Sequence, residues 1–229
     1  MIHYHGTPLT PRAELMKMAG KHFCVSFATP QDADWCMMHG QSVMWDNGAF
    51  SAYTRGAGFD PMAFAAWVEP RLGHPHWAVI PDVIDGSVED QRTMIDAWPH
   101  SPALSAPVWH MGLAIDWLLE LSDRFHRICF GSSGRYWQVG SPAWERRADE
   151  AFNALARRGS LPWVHMMRGL AMAGDRWPFA SADSVNVARN FKDARTCPER
   201  MARRIDAVQS PVFWSPRSVQ QDLFSEAAE

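Results

Sequence analysis

Short apolar runs alternate along the chain with longer amphipathic segments. A brief apolar run between turn signals is typical of a buried strand, whereas apolar positions three or four residues apart are typical of a helix. Eight strands are predicted, near Ile2–His5, His22–Ala28, Val43–Asp46, Trp77–Val83, Pro107–Met111, Arg127–Gly131, Trp163–Met167 and Ala180–Val185. Because strands that alternate with helices pair in parallel, the pattern predicts an α/β fold, a (β/α)8 TIM barrel in which residues 1–229 form one domain.

The starts of several helices are marked in the sequence. A side chain able to cap a helix precedes proline at Thr10-Pro11, Thr29-Pro30, Asp60-Pro61 and Ser141-Pro142. The clearest helical periodicity begins near Trp144 and should end before Gly159. An open doubly wound sheet is the competing fold, but it needs a Gly-rich phosphate turn after the first strand, and His5-Gly6-Thr7 does not supply one.

Composition narrows the class of protein. With 229 residues and 47% hydrophobic residues, the chain can bury one substantial core. The apolar stretches are too short for a membrane helix and the N-terminus lacks a signal pattern, so we expect a cytoplasmic protein that does not bind membranes. The cysteines stand singly and predict no zinc site; they are Cys24, Cys36, Cys129 and Cys197.

The charge distribution leaves room for a local cationic patch. A net charge of −3 argues against a protein that coats nucleic acid through bulk charge. The segment from Arg189 to Arg204 is nevertheless net positive. It could contact phosphates, and the alternative is an ordinary solvated helix face.

Four of the predicted strands end on a polar residue that can do chemistry: Asp46, Asp82, His110 and Asp183. In a parallel barrel the carboxyl ends of the strands meet at one mouth. Carboxylates that are close together and partly shielded from water acquire unequal pKa values, so that one serves as acid or base and another as nucleophile. The alternative is that Asp46 and Asp183 only cap the loops that follow them.

Two segments resemble motifs of the tRNA-guanine transglycosylases that carry the catalytic aspartates. Asp46-Asn47-Gly48-Ala49-Phe50 resembles their Asp-Ser-Gly-Gly-aromatic motif, with Asn47 and Ala49 in place of small residues, and its aspartate acts there as general acid and base. Ala182-Asp183-Ser184-Val185 with Arg189-Asn190 resembles their Phe-Asp-(Cys/Ser)-Val…Arg-Asn segment, whose aspartate attacks the anomeric carbon. The resemblance implies the same two roles for Asp46 and Asp183.

Other segments resemble the base-binding parts of the same family. Pro81-Asp82 resembles the aspartate that hydrogen-bonds the guanine or deazaguanine edge, and His110 stands where the family has a glutamine in a Val-Gln-Gly run. Phe130-Gly131-Ser132-Ser133-Gly134 resembles the Gly-Gly loop that approaches the base. The implied substrate-binding residues are Asp82, His110, Asn47, Gly48, Phe50, Gly131, Ser132 and Ser133.

The chain lacks the Cys-x-Cys-x-x-Cys…His zinc subdomain of the tRNA enzymes and is shorter than they are. In this it is similar to compact phage and bacterial relatives that insert 7-deazaguanine bases into DNA. The resemblance therefore implies exchange of guanine for a 7-deazaguanine base without cofactor or metal, in DNA rather than tRNA. A homodimer is left open, and the cations that could contact phosphates are Arg168, Arg189, Lys192 and Arg195.

A base inside a duplex cannot reach a barrel mouth, so the target nucleotide must be flipped out or unpaired. Aromatic residues at the strand ends could stack on it, namely Phe50, Tyr53 and Trp109, although packing in the core is the alternative role.

Three other functions remain open at this stage. A glycosylase would use the same aspartates with water in place of the incoming base, and a non-catalytic subunit would only position nucleic acid. A metal-dependent barrel hydrolase would use His3-Tyr4-His5, because two histidines spaced by one residue on the first strand face the same way. That site would also need His110, His165 and Asp183.

Overall fold

A computed structural model describes residues 1–159, 161–193 and 195–216. Its strands are β1 (Ile2–Gly6), β2 (His22–Ser26), β3 (Ser42–Asp46), β4 (Trp77–Val79), β5 (Ser105–Ala106), β6 (Val108–His110), β7 (Arg127–Gly131), β8 (Trp163–Met166) and β9 (Ser181–Ser184). Its α-helices are α1 (Arg12–Met16), α2 (Ala33–His39), α3 (Ala49–Arg55), α4 (Pro61–Val68), α5 (Val88–Ala97), α6 (Ile115–Arg124), α7 (Pro142–Arg157), α8 (Asn186–Asn190) and α9 (Pro198–Asp206).

The strands form one parallel sheet of nine that is nearly closed and barrel-shaped. Their order is β5-β4-β3-β2-β1-β9-β8-β7-β6. The two outermost strands, β5 and β6, are separated in sequence only by Pro107. β5 pairs with β4 and β6 pairs with β7. Proline has no N–H to donate to a ladder, so the strand is interrupted there, yet its carbonyl still accepts from the Cys129 N–H at 2.9 Å.

All eight predicted strands are present, and the structure refines their bounds. The fifth, predicted at Pro107–Met111, is β6, and the two-residue strand β5 before Pro107 was not predicted. The fourth ends at Val79 rather than Val83. The helix predicted from Trp144 is α7, which Gly159 terminates in the left-handed conformation at φ 83°.

A helix or 3₁₀ turn begins at each of the four predicted places, but the predicted capping hydrogen bond forms at only two of them. Asp60 and Ser141 accept backbone N–H bonds at the starts of α4 and α7, as predicted. Thr10 and Thr29 make no capping bond. After Thr29 the chain forms a 3₁₀ turn, Pro30–Asp32, before α2 begins, so the threonine is one turn away from the helix it was predicted to cap.

Strand alternation divides the buried residues into an inner and an outer set, because successive side chains on a strand point to opposite faces. The inner cluster comes from strands alone and contains Tyr4, Met44, Trp77, Val79, Ala106, Val108 and Cys129. The outer residues of the same strands pack against the helices in two larger clusters. Among the described residues, none of the helices is both long and apolar enough to cross a membrane.

Candidate active site

The carboxyl ends of the strands surround a cavity of about 830 Å³. Three of its polar residues reach it by strand alternation: Asp46 lies two positions after Met44, His110 two after Val108, and Asp183 two after Ser181. Each therefore has the same inward orientation as the residue two positions before it. The predicted site residues that line the cavity are Asp46, Asn47, Phe50, Asp82, His110, Gly131, Ser132, Ser133, Arg168, Asp183 and Arg189.

Three predicted site residues do not line the cavity: Gly48, Lys192 and Arg195. Gly48 has φ +79°, and a Cβ there would lie 3.1 Å from the Ala28 backbone nitrogen, so this glycine serves the tight turn into α3. Lys192 and Arg195 follow α8 on an exposed stretch of chain beyond the cavity wall. The cationic lining comes instead from residues closer to the strand ends.

Asp46 is a carboxyl with an unusual electrostatic environment. Burial raises its pKa to about 6, a hydrogen bond from Ser26 opposes that shift, and the nearby carboxylates of Asp183 and Asp82 add to it. The Gly48 N–H also hydrogen-bonds the carboxyl. A carboxyl with a pKa near neutrality can both donate and accept a proton in the same reaction cycle.

Only one carboxylate oxygen of Asp183, Oδ1, has hydrogen-bond partners among the described residues. The Arg168 N–H donates to its Oδ1 at 2.7 Å, and His165 Nε2 lies 3.2 Å from the same atom. Arg168 adopts φ +55°, a left-handed conformation that is costly for a residue with a side chain. Among the described residues Oδ2 has no hydrogen-bond partner, so one carboxylate oxygen remains available to a ligand.

His165 contacts Asp183, although the sequence proposed it only as a ligand of the metal-hydrolase alternative. It is fully buried inside the barrel, and its Nδ1 lies 2.8 Å from the Ser181 hydroxyl. Trp163 Nε1 donates to that hydroxyl at 2.9 Å. A hydrogen-bonded chain therefore runs from the barrel interior to Asp183.

Asp82 belongs to a second network on the opposite part of the lining. His110 Nε2 lies 2.9 Å from its Oδ2, and Asn47 Nδ2 donates to its Oδ1 at 2.9 Å. Asn47 Nδ2 also donates to the Ile80 carbonyl, and its Oδ1 accepts from the Ala49 N–H. Asn47 thus ties the loop after β3 to the loop after β4.

The glycine at 131 is required by packing. A Cβ there would lie 2.9 Å from Val108 Cγ1 and 3.3 Å from His110 Nδ1. Next to it, the Ser132 hydroxyl accepts from Trp144 Nε1 at 3.0 Å, which joins this loop to α7. The small residues of the loop after β7 therefore keep the wall close to His110.

No protein-family model matches the chain, and no curated protein matches it. The residues of the cavity are therefore what points to a function.

Strand alternation directs some residues that the sequence proposed for other roles away from the cavity. Trp109 does not have the position that stacking on a base requires. Its neighbours Val108 and His110 point inward, so its own ring faces the helices and packs on Phe130 with ring centroids 4.9 Å apart. It is fully buried and cannot stack on a ligand.

The histidines of the first strand also face outward. His3 and His5 do not line the cavity, and His5 Nε2 pairs with Asp206 of α9 at 3.0 Å. In the part of the chain that the structure describes, no three His, Cys, Asp or Glu side chains are grouped so that they could hold a metal ion. The ligand set of the barrel hydrolase alternative is therefore not brought together.

Proposed function

We propose that this protein exchanges a guanine base in nucleic acid, DNA in the first place, for a 7-deazaguanine base through a covalent aspartyl-sugar intermediate. The observation that carries the proposal is the convergence of Asp46, Asp82 and Asp183 on one cavity in three different environments. We also propose that the fold is a (β/α)8 barrel, in which Ser105–Ala106 and Val108–His110 together make one of the eight strands.

In the first step the free Oδ2 of Asp183 attacks the anomeric carbon of the target nucleotide. The bond from that carbon to guanine breaks, its electron pair stays with the base, and protonated Asp46 supplies the proton that neutralises the leaving guanine. The raised pKa of Asp46 supports this role, because a fraction of its carboxyl is protonated near pH 6. The intermediate is an ester between Asp183 and the sugar.

In the second step Asp46, now ionised, removes the proton from the incoming 7-deazaguanine base. The base nitrogen attacks the anomeric carbon, and Asp183 leaves as a carboxylate. Two displacements at the same carbon restore its original configuration. The protein thus returns to its starting protonation state.

Asp82 supports recognition of the base. Its carboxylate can accept hydrogen bonds from the N–H groups of a guanine-like edge, and its contacts with Asn47 and His110 fix its orientation. The cavity of about 830 Å³ has the size usual for small-molecule sites, which suits a single flipped-out nucleotide.

The test is an exchange assay with guanine-labelled DNA and guanine-labelled tRNA, each with and without a 7-deazaguanine base. We expect release of label from DNA that requires the acceptor base. Release that does not require it would identify a glycosylase, and no release from either polymer would overturn the proposal. Asp123→Asn, a substitution of an exposed aspartate on α6, is the matched control and should behave as wild type.

A further inference from the structure

Exposed aromatic side chains are concentrated at the mouth of the cavity. Among the described residues, four aromatic side chains are largely exposed: Phe50, Tyr53, Trp137 and Phe213. All but Phe213 line the cavity. Trp137 is 71% exposed, whereas tryptophans elsewhere in the described chain are mostly buried. An apolar surface that stays open to water in this way marks an interaction site.

Local structure holds Trp137 in its exposed position. The residue follows a 3₁₀ turn, Gly134–Tyr136, and its N–H donates to the Gly134 carbonyl at 3.1 Å. Its neighbour Tyr136 is buried and lies under Arg147, whose Cζ is 5.7 Å from the ring centroid. Because Tyr136 anchors the turn, the next side chain is directed outward over the mouth.

The opposite side of the mouth is formed by α3. Tyr53 is 55% exposed, and its hydroxyl donates to Asp85 Oδ2 at 3.0 Å, which ties α3 to the loop after β4. Phe50 is less exposed than Tyr53, and Arg168 Cζ lies 4.0 Å from the centroid of its ring. Tyr53 is held by its hydroxyl and Trp137 by its backbone, and both rings are exposed to solvent.

The same rim carries cations that form no ion pair among the described residues. Arg55, Arg168 and Arg189 line the cavity, all three are exposed, and in the described ranges none forms an ion pair. The neighbouring carboxylates accept from other donors, Asp183 from the Arg168 backbone and Asp85 from Tyr53. The guanidinium groups are thus free to contact phosphates.

We propose that the mouth binds an unpaired nucleic-acid strand, with the nucleotides that flank the reacting one stacked on Trp137 and Tyr53 and their phosphates on the rim arginines. Exposed aromatic rings combined with cations are the features that bind single strands, because unpaired bases offer free faces for stacking. In a duplex those faces are covered by neighbouring base pairs. The inference rests on the proposed function in taking the polymer to be nucleic acid.

The test uses a single-stranded oligodeoxynucleotide of roughly 15 nucleotides with a central abasic site, and the blunt duplex of the same length. We expect the single strand to bind more tightly than the duplex. Trp137→Ala should weaken single-strand binding about tenfold, and Trp137→Tyr should stay within about threefold of wild type because it keeps a stacking ring. Phe213→Ala removes an aromatic side chain that is 82% exposed and lies outside the cavity lining; it is the matched control and should bind as wild type.

Equal binding of Trp137→Ala and wild type, or equal or tighter binding of the duplex, would overturn the inference. The abasic probe separates this result from the proposed reaction, because its binding requires neither a target base nor exchange. If wild type exchanges no guanine but binding still depends on Trp137, the proposed function fails and the strand-binding mouth stands. If wild type exchanges guanine but binding does not depend on Trp137, the proposed function stands and the strand-binding mouth fails.

Salt dependence checks the part assigned to the arginines. Arg55→Gln should lower the slope of log affinity against log salt concentration by about 0.7, the value for one phosphate contact on a single strand. Arg158→Gln on the outer surface, whose guanidinium pairs with Asp123, should leave the slope unchanged. An unchanged slope for Arg55→Gln would remove that residue from the binding surface.

Discussion

The Nε2 atom of His165 lies 3.2 Å from the Oδ1 atom of Asp183, inside a barrel where His165 is fully buried. Ser181 holds the other ring nitrogen at 2.8 Å. The imidazole is therefore fixed from both sides, and with the Arg168 N–H it sets the direction in which the free oxygen of Asp183 points. In the proposed reaction we expect His165 to act as a positioning residue, since it would reach the substrate only through Asp183.

We expect His165→Phe to slow formation of the covalent intermediate about tenfold or more, because it removes a hydrogen bond to a charged group while filling a similar volume. Affinity for the oligonucleotide should stay within about twofold of wild type. His165→Gln, which keeps a donor, should recover much of the lost rate. Single-turnover kinetics beside a binding measurement checks this, and equal rates for His165→Phe and wild type would exclude the positioning role.

If the proposed reaction occurs, wild type incubated with DNA without an acceptor base should accumulate a covalent adduct, and Asp183→Asn should abolish it. Covalent catalysis requires a nucleophilic carboxylate, and an amide of the same shape does not supply one. The fold should remain intact, because the side chain is 12% exposed at the cavity and the substitution empties no core volume. Denaturing electrophoresis would show the adduct, and an adduct on Asp183→Asn would assign the nucleophile to another carboxylate.

The rate of adduct formation should fall as the pH rises through about 6. In the proposed reaction the protonated carboxyl of Asp46 supplies the proton to the leaving guanine, and its pKa of about 6 means that this form is lost above that pH. Above the pKa the rate should drop about tenfold for each further pH unit. Asp46→Asn should be slow at every pH and lack this limb. The same limb in the variant would show that another group titrates.

Asp46→Asn should also stabilise the protein at neutral pH. A carboxyl whose pKa is higher in the folded than in the unfolded state costs stability when ionised; the cost is complete above about pH 6 and disappears below about pH 4. We expect a gain of about 2 kcal/mol in the free energy of unfolding at pH 7.5, allowing for screening by water in the cavity. Urea unfolding at pH 7.5 and pH 4 checks this, and an equal gain at both would contradict the electrostatic cause.

Asp82→Ala should reduce discrimination between bases more than affinity for the polymer. The carboxylate holds His110 and Asn47 and faces the cavity, so its removal leaves a bound base edge unpaired at a cost of about 1–3 kcal/mol. Preference for guanine-like acceptor bases should fall about tenfold while oligonucleotide affinity changes by less than twofold. Competition assays with several free bases measure this, and equal losses for all of them would contradict a role in base recognition.

The sequence by itself determined where the strands lie along the chain and which polar residues stand at their ends. Period-two alternation is a local property, so the sequence places Asp46 on the same strand face as Met44 and Asp183 on the same face as Ser181. The end of α7 before Gly159 is equally local, since it depends on the left-handed backbone conformation that glycine adopts easily.

Tertiary structure decided the rest, because burial and long-range contacts are not local properties. Trp109 and Trp137 are both tryptophans near a strand end, yet one packs beneath the helices and the other stands open at the cavity mouth. The raised pKa of Asp46 depends on burial and on carboxylates far away in sequence, and the contact of His165 with Asp183 depends on the pairing of β8 with β9. Only the packed sheet brings those groups together.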